Sequence, residues 1–175
     1  MRSPFRVGVV ASALACAALA FATSASADSP HFLYANASVN SSTGALTVNF
    51  KDAGLGTGTT SIEITLQVHT ATATYQCWNN GGKHPQAGNK ETVSSSIDVT
   101  GTFPVRHGQT TSSITVGPPD QGDFTCPNGQ TLYLVGVVSY SGITVSDATG
   151  NSLGATPDPA TADVGTPPTG GIRIG

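Results

Sequence analysis

Leu46, Val48 and Phe50 alternate with polar neighbours, and Ile62, Ile64, Leu66 and Val68 do the same against Glu63, Thr65, Gln67 and His69. Alternation of this kind is the period of a strand with one buried face. Thr70, Thr72 and Thr74 continue the even register, but Tyr75 and Cys77 fall on odd positions. One extra residue swaps the two faces of a strand, so a bulge or bend is expected between His69 and Tyr75. Val93, Ile97, Val99 and Phe103 hold an odd register, and Ile114 and Val116 close a short strand after the Arg106-His107-Gly108-Gln109 turn. Leu132 to Val138 is almost wholly apolar, the mark of a strand covered on both faces, and Ile143 and Val145 follow a break at Ser141-Gly142.

The pattern predicts strands near 31–38, 45–51, 60–77, 91–103, 110–116, 130–140 and 142–147, with an eighth at 151–155. Turn residues separate them, among them Ser42-Thr43-Gly44, Asn79-Asn80-Gly81-Gly82, Gly117-Pro118-Pro119 and Pro127-Asn128-Gly129. Such a chain is expected to be all-β: an antiparallel β-sandwich, Ig-like in architecture, with a small barrel as the alternative. The domain spans 28–155. Beyond it Pro157, Pro159, Pro167 and Pro168 interrupt any ladder, and 156–175 reads as a disordered Pro/Gly-rich tail.

Composition narrows the choice. Only 10% of the 175 residues are charged, with 21 Gly and 11 Pro. Ser and Thr stand where an amphipathic helix would carry Lys, Glu and Leu. A helical bundle, a coiled coil and a doubly wound nucleotide-binding fold are excluded. Residues 1–27 read as a secretory signal peptide: Arg2 and Arg6, an uncharged run from Val7 to Ala22, then Ala25-Ser26-Ala27 before Asp28. The rival is a membrane anchor, but the run is shorter than the roughly 20 residues that span a bilayer. Cys16 falls within the removed segment. Without Arg2 and Arg6, five basic residues face ten acidic ones. Nothing there favours nucleic acid, whose phosphates need a cationic surface, and no second apolar run reaches spanning length.

Two cysteines remain, Cys77 and Cys126, and an even count in an exported chain reads as a disulfide. Their spacing resembles an inter-sheet bridge of an Ig domain, although Trp78 stands beside the first cysteine instead of a strand later. No pair of His31, His69, His84 and His107 has zinc-ligand spacing, so neither metal nor cofactor is expected. No Gly-x-Ser-x-Gly elbow occurs, and no catalytic residue is assigned. Gly54-x-Gly56-x-Gly58 leads into a strand, not a helix, and reads as a plain loop. Asp120 and Asp123 read as a solvated turn, with a shared calcium ion as the alternative. The segment 75–90 is the richest in chemistry. It holds the chain's one Trp, two lysines and a run of amides. Trp78, Asn79, Asn80, Lys83, His84 and Lys90 are the candidate binding residues, on a loop rooted at a disulfide. The competing reading makes Trp78 a plug at the edge of the core.

The run Tyr75-x-Cys77-x-Asn79-x-Gly81-Gly82-Lys83-x-Pro85, continuing to Asn89-Lys90, resembles the signature of a family of small exported actinomycete proteins. So does Gly122-Asp123-Phe124-x-Cys126-Pro127-x-Gly129-Gln130, as do Ser29-Pro30-His31-Phe32 and Phe50-Lys51-x-Ala53-Gly54-Leu55-Gly56. The resemblance covers about residues 28–150. It implies a secreted β protein with one disulfide and no assigned enzyme activity. The expectation is a secreted, non-enzymatic binding or adaptor module. It would act through loops or a sheet edge on an extracellular protein or cell-surface partner, within an extracellular protein assembly. A structural cell-surface or spore-coat protein, and a cryptic hydrolase or inhibitor, are the alternatives. After Ser152 the chain departs from the family, where another strand is expected. Its loss would leave an unpaired sheet edge open to strand addition.

Overall fold

The computed structural model describes residues 29–79 and 85–174. The segment 1–27, read above as a signal peptide, lies outside them. The described chain is all-β and antiparallel. In order the strands are β1 (His31–Val39), β2 (Leu46–Ala53), β3 (Ser61–Asn79), β4 (Pro85–Pro104), β5 (Gln109–Val116), β6 (Gln130–Asp147), β7 (Ser152–Gly154), β8 (Ala160–Asp163) and β9 (Ile172–Arg173). One sheet has the order β1-β2-β5. The other runs β4-β3-β6-β7, with β8 and β9 also paired to β6.

The two sheets share one core. Leu46, Val48 and Phe50 of β2 are fully buried, as are Ile64 and Leu66 of β3 and Tyr140, Ile143 and Val145 of β6. Phe50 stands edge-on to Phe103 at 5.1 Å and to Phe32 at 6.3 Å, arrangements that aromatic quadrupoles favour. Tyr140 donates from its hydroxyl to the Gly44 carbonyl at 2.7 Å and so ties β6 to the β1–β2 turn of the other sheet. Burial, first of all, and then Tyr75 hold its phenol pKa far above the usual range, so it remains a donor at any physiological pH. Gly44 accepts the bond at φ 70°, and a Cβ there would stand 2.9 Å from Leu134 Cδ2.

The expected bulge is present. Val68 pairs with Ile97 but Ala71 with Ser95, so β3 carries one residue more than β4 between them. Burial changes register at the same point: Ile64, Leu66 and Val68 are buried before it, Ala71, Ala73, Tyr75 and Cys77 after it. On β6 the buried set passes from Val138 and Tyr140 to Ile143 and Val145 across Gly142. The break read at Ser141-Gly142 is therefore not a strand end. β6 runs through it, because Gly142 takes φ 65° and has no Cβ to meet His69 Cβ, which would lie 2.6 Å away.

The tail differs from its reading. Residues 156–174 are folded onto β6. Ala160–Asp163 pairs with Val137–Tyr140, and Ile172 and Arg173 pair with Leu134 and Tyr133. Ala160 and Val164 are buried. The Asp158 carboxylate accepts the Gly142 and Ile143 N–H groups, each at 3.0 Å, between the stretches of β6 that pair with β8 and with β7. A proline forfeits only its own N–H, and the residues between Pro159 and Pro167 remain free to pair. The sheet edge that loss of a final strand was expected to leave open is thus covered, along β6. A further difference concerns the disulfide. Cys77 and Cys126 are bonded, with Cα atoms 5.5 Å apart, but Cys126 lies in the loop before β6 and not on a strand of the facing sheet. The bridge fixes a loop to the end of β3. It is not the inter-sheet bridge of an Ig domain.

Two stability outcomes follow. Tyr140→Phe leaves the Gly44 carbonyl without its partner and should lower unfolding free energy by about 1–2 kcal/mol in urea titrations. Replacing Cys77 and Cys126 together by Ala releases a loop of 49 residues and should lower stability by about 4 kcal/mol on the chain-entropy model, read from the same titrations.

Candidate functional site

Chemistry gathers at the two ends of the long β3–β4 hairpin, which lie on the order of 50 Å apart along the strands. The far end carries the sequence-predicted loop. Cys77 and Trp78 are buried there, and the Trp78 indole N–H donates to Gln76 Oε1 at 3.2 Å. The indole is thus largely buried. Asn79 is exposed and pairs with Gln130; Lys90 is exposed and pairs with Gln76. Asn80, Lys83 and His84 lie outside the described residues. The disulfide, the Tyr75 hydroxyl bonded to Pro119 O at 2.7 Å and Asn89 Nδ2 bonded to Gln130 Oε1 at 2.8 Å fasten this end. Asp120 caps its own turn by accepting the Gly122 N–H at 2.8 Å. Among the described residues no group of three or more His, Cys, Asp or Glu is placed to hold a metal ion.

The near end holds two features that sequence reasoning missed. The first is internal. Asp52 of β2 is fully buried, and neither of its carboxyl oxygens has a hydrogen-bond partner. The Ala53 N–H and the Asp147 carboxylate act on it from outside good hydrogen-bonding geometry. Asp147, at the end of β6, is buried too but amply bonded. It accepts from the Thr149 N–H at 2.8 Å and hydroxyl at 2.7 Å, and from the Asn151 N–H at 3.0 Å and amide at 3.1 Å. The two carboxyls therefore part company. Desolvation, then the Asp147 charge, pushes Asp52 from 3.8 up to about 6, against the Ala53 N–H and His31. Burial pushes Asp147 up as well, but its donors on Thr149 and Asn151 outweigh that and the net direction is down. Asp52 reads in sequence as the polar residue after Lys51. Only its even position, shared with Leu46, Val48 and Phe50, signals that it points inward.

The second feature lies on the outside of the same strands. A cleft of about 300 Å³ is lined by Lys51 of β2, by Arg106 and His107 of the β4–β5 turn, and by Gln109 and Thr111 of β5. Lys51 and Thr111 are register partners, and Gln109 pairs with Ala53, so the sheet itself positions these groups.

Between the ends, the outer face of the β3–β4 pair is a ladder of hydroxyls bonded to one another: Thr65 to Thr100 at 2.8 Å, Thr72 to Ser94 at 2.9 Å and Thr74 to Thr92 at 3.0 Å. Of the described histidines, His31 bonds Ser29 O and His69 bonds the Thr70 hydroxyl. None of them meets a serine hydroxyl. The chain matches no family model, no curated protein and no solved structure.

The carboxyl pair makes stability depend on pH in a defined direction. Folded Asp52 binds its proton more tightly than the unfolded residue does. Its contribution is complete below 3.8 and is lost as pH rises through about 6. Asp147 acts oppositely, and its contribution is lost as pH falls below the ordinary carboxylate range. Between pH 5 and 8 the parent protein should lose about 1.4 kcal/mol. Asp52→Asn should remove most of that loss, as measured by urea midpoints across the pH range.

Proposed function

We propose that this chain is an exported, non-enzymatic binding module that receives an extended segment of another protein along the free edge of β4. The disulfide is compatible with an oxidising extracellular compartment, and among the described residues no helix is long and apolar enough to cross a membrane. The observation that carries the reading is the state of β4. This strand of 20 residues pairs with β3 on one side and, among the described residues, with no strand on the other. Its inward face is thinly covered. Val93 and Ile97 are only half-buried and Val99 is exposed, while the β3 residues Leu66 and Val68 opposite Val99 and Ile97 are buried. Unpaired N–H and C=O groups next to an apolar row are what a partner strand needs. The main chain would supply affinity, and the apolar row would select an occupant with side chains alternating at period two.

Pairing of this kind tolerates single side-chain changes and responds to blocked backbone. On capture of a stoichiometric protein partner from culture supernatant, amides of β4 between 86 and 104 should gain hydrogen-exchange protection. Protection confined to residues 117–129 and the region of Asn79 and Lys90 would instead identify the disulfide-rooted loops as the docking surface.

A further inference from the structure

We propose that the cleft formed by Lys51, Arg106 and His107 is a binding site for a small organic oxyanion, a carboxylate or phosphate carried on a sugar-sized polyol. This site is separate from the β4 edge and does not depend on it.

Charge is the first argument. The chain has more acidic than basic residues. Its described residues include four Lys and Arg: Lys51, Lys90, Arg106 and Arg173. Two of the four, with an imidazole, line one cleft of about 300 Å³. Among the described residues no carboxylate pairs with any of the three side chains. In a protein with few cations, placing two of them side by side without a counter-charge costs stability, and a bound anion removes that cost. Arginine supplies a planar fork for two parallel bonds to a carboxylate or phosphate, and lysine a point charge beside it.

The backbone is the second argument. Arg106 and Gln109 exchange main-chain hydrogen bonds at 2.8 and 3.1 Å around His107 and Gly108. The two central residues have φ 53° and 70°, the signs of a type I′ hairpin turn. Its first central position favours Asn, Asp or Gly, which tolerate positive φ. Here it holds histidine, the one non-glycine residue with positive φ among those described. Histidine is among the side chains that take positive φ more readily, so the turn accommodates it and sets its ring at the cleft. The turn is also fixed in place. The Gly108 carbonyl accepts the N–H of Leu55 at 2.9 Å, and Leu55 is buried. Arg106 and His107 are thus projected from a rigid support, and an ordered donor set loses less freedom on binding.

The lining sets the ligand class. Gln109 and Thr111 add an amide and a hydroxyl, and Pro104 a small apolar wall. The volume stands at the lower end of ligand pockets, enough for one sugar ring and too small for a nucleotide. Neutral donors around a cationic focus fit hydroxyls around an acid group.

Three probes test the site by amide and side-chain chemical-shift titration of the intact exported protein: glucuronate, inorganic phosphate and glucose. Glucuronate should bind saturably with shifts centred on residues 51, 106–111. Phosphate should compete for the same residues more weakly, and glucose should leave them unmoved. Affinity for glucuronate should fall as salt rises. Arg106→Gln should weaken it by about tenfold. His107→Asn keeps the turn, since asparagine suits that position, and should weaken binding by about threefold while melting at no lower temperature than the parent. Equal binding of glucose and glucuronate, shifts centred away from the cleft, or full affinity in both variants would each overturn the assignment.

Discussion

Between Val68 and Ala71, β3 holds one residue more than β4, and Gly142 answers that excess on β6. Both strands exchange their buried and exposed faces at this row. Without the extra residue on β3, Ala71, Ala73 and Tyr75 would turn to solvent; without Gly142, the His69 side chain would have no room. The row lets two strands of 19 and 18 residues keep facing one core on both sides of the bend. Other parts of the structure attach there. Asp158 bonds the Gly142 and Ile143 N–H groups, which brings the last segment of the chain onto β6. Tyr140, two residues before Gly142, reaches across to Gly44 and holds the sheets together.

The same docking decides which edges are free. β7, β8 and β9 cover β6, and the Thr156 main chain bonds the Ala35 carbonyl and the Ala37 N–H on β1. A chain poor in charge has few lysines to guard an exposed ladder, so covering an edge with its own tail is the available solution. Among the described residues β4, like β5, receives no such cover. Its outer hydroxyls bond β3 across the face and leave its apolar inner row partly open. An unpaired ladder beside a partly open apolar row is what supports docking at β4.

At the near end, polarity is divided between the two surfaces of one sheet. Consecutive residues Lys51 and Asp52 point to opposite sides, as a strand requires. Lys51 joins Arg106 and His107 outside, and Asp52 is carried into the core beside Asp147. The inner pair survives because one carboxyl takes a full set of donors and the other retains its proton more readily. Two ionised carboxylates at that depth would leave uncompensated charge. The outer group is the reverse case, cations at a surface where water and ligands can reach them.

The sequence by itself determined most of the strands up to residue 154, the antiparallel class, the cysteine pairing and the slip at His69–Tyr75. Each is written in neighbouring residues: alternation, turn dipeptides, an even cysteine count and a change of parity. Where information was local, it sufficed. It did not suffice for the tail, because prolines mark where a ladder is interrupted and do not show that Ala160 and Val164 find a buried place against β6. It did not place Trp78, whose two readings differ only in what covers the ring. Nor did it reveal that Lys51 meets Arg106 and His107, or that Asp52 meets Asp147, residues separated by 55 and 95 positions or more. Those meetings depend on which strands become neighbours and which faces turn inward. That choice is made by the packing of whole sheets, and no short stretch of sequence contains it.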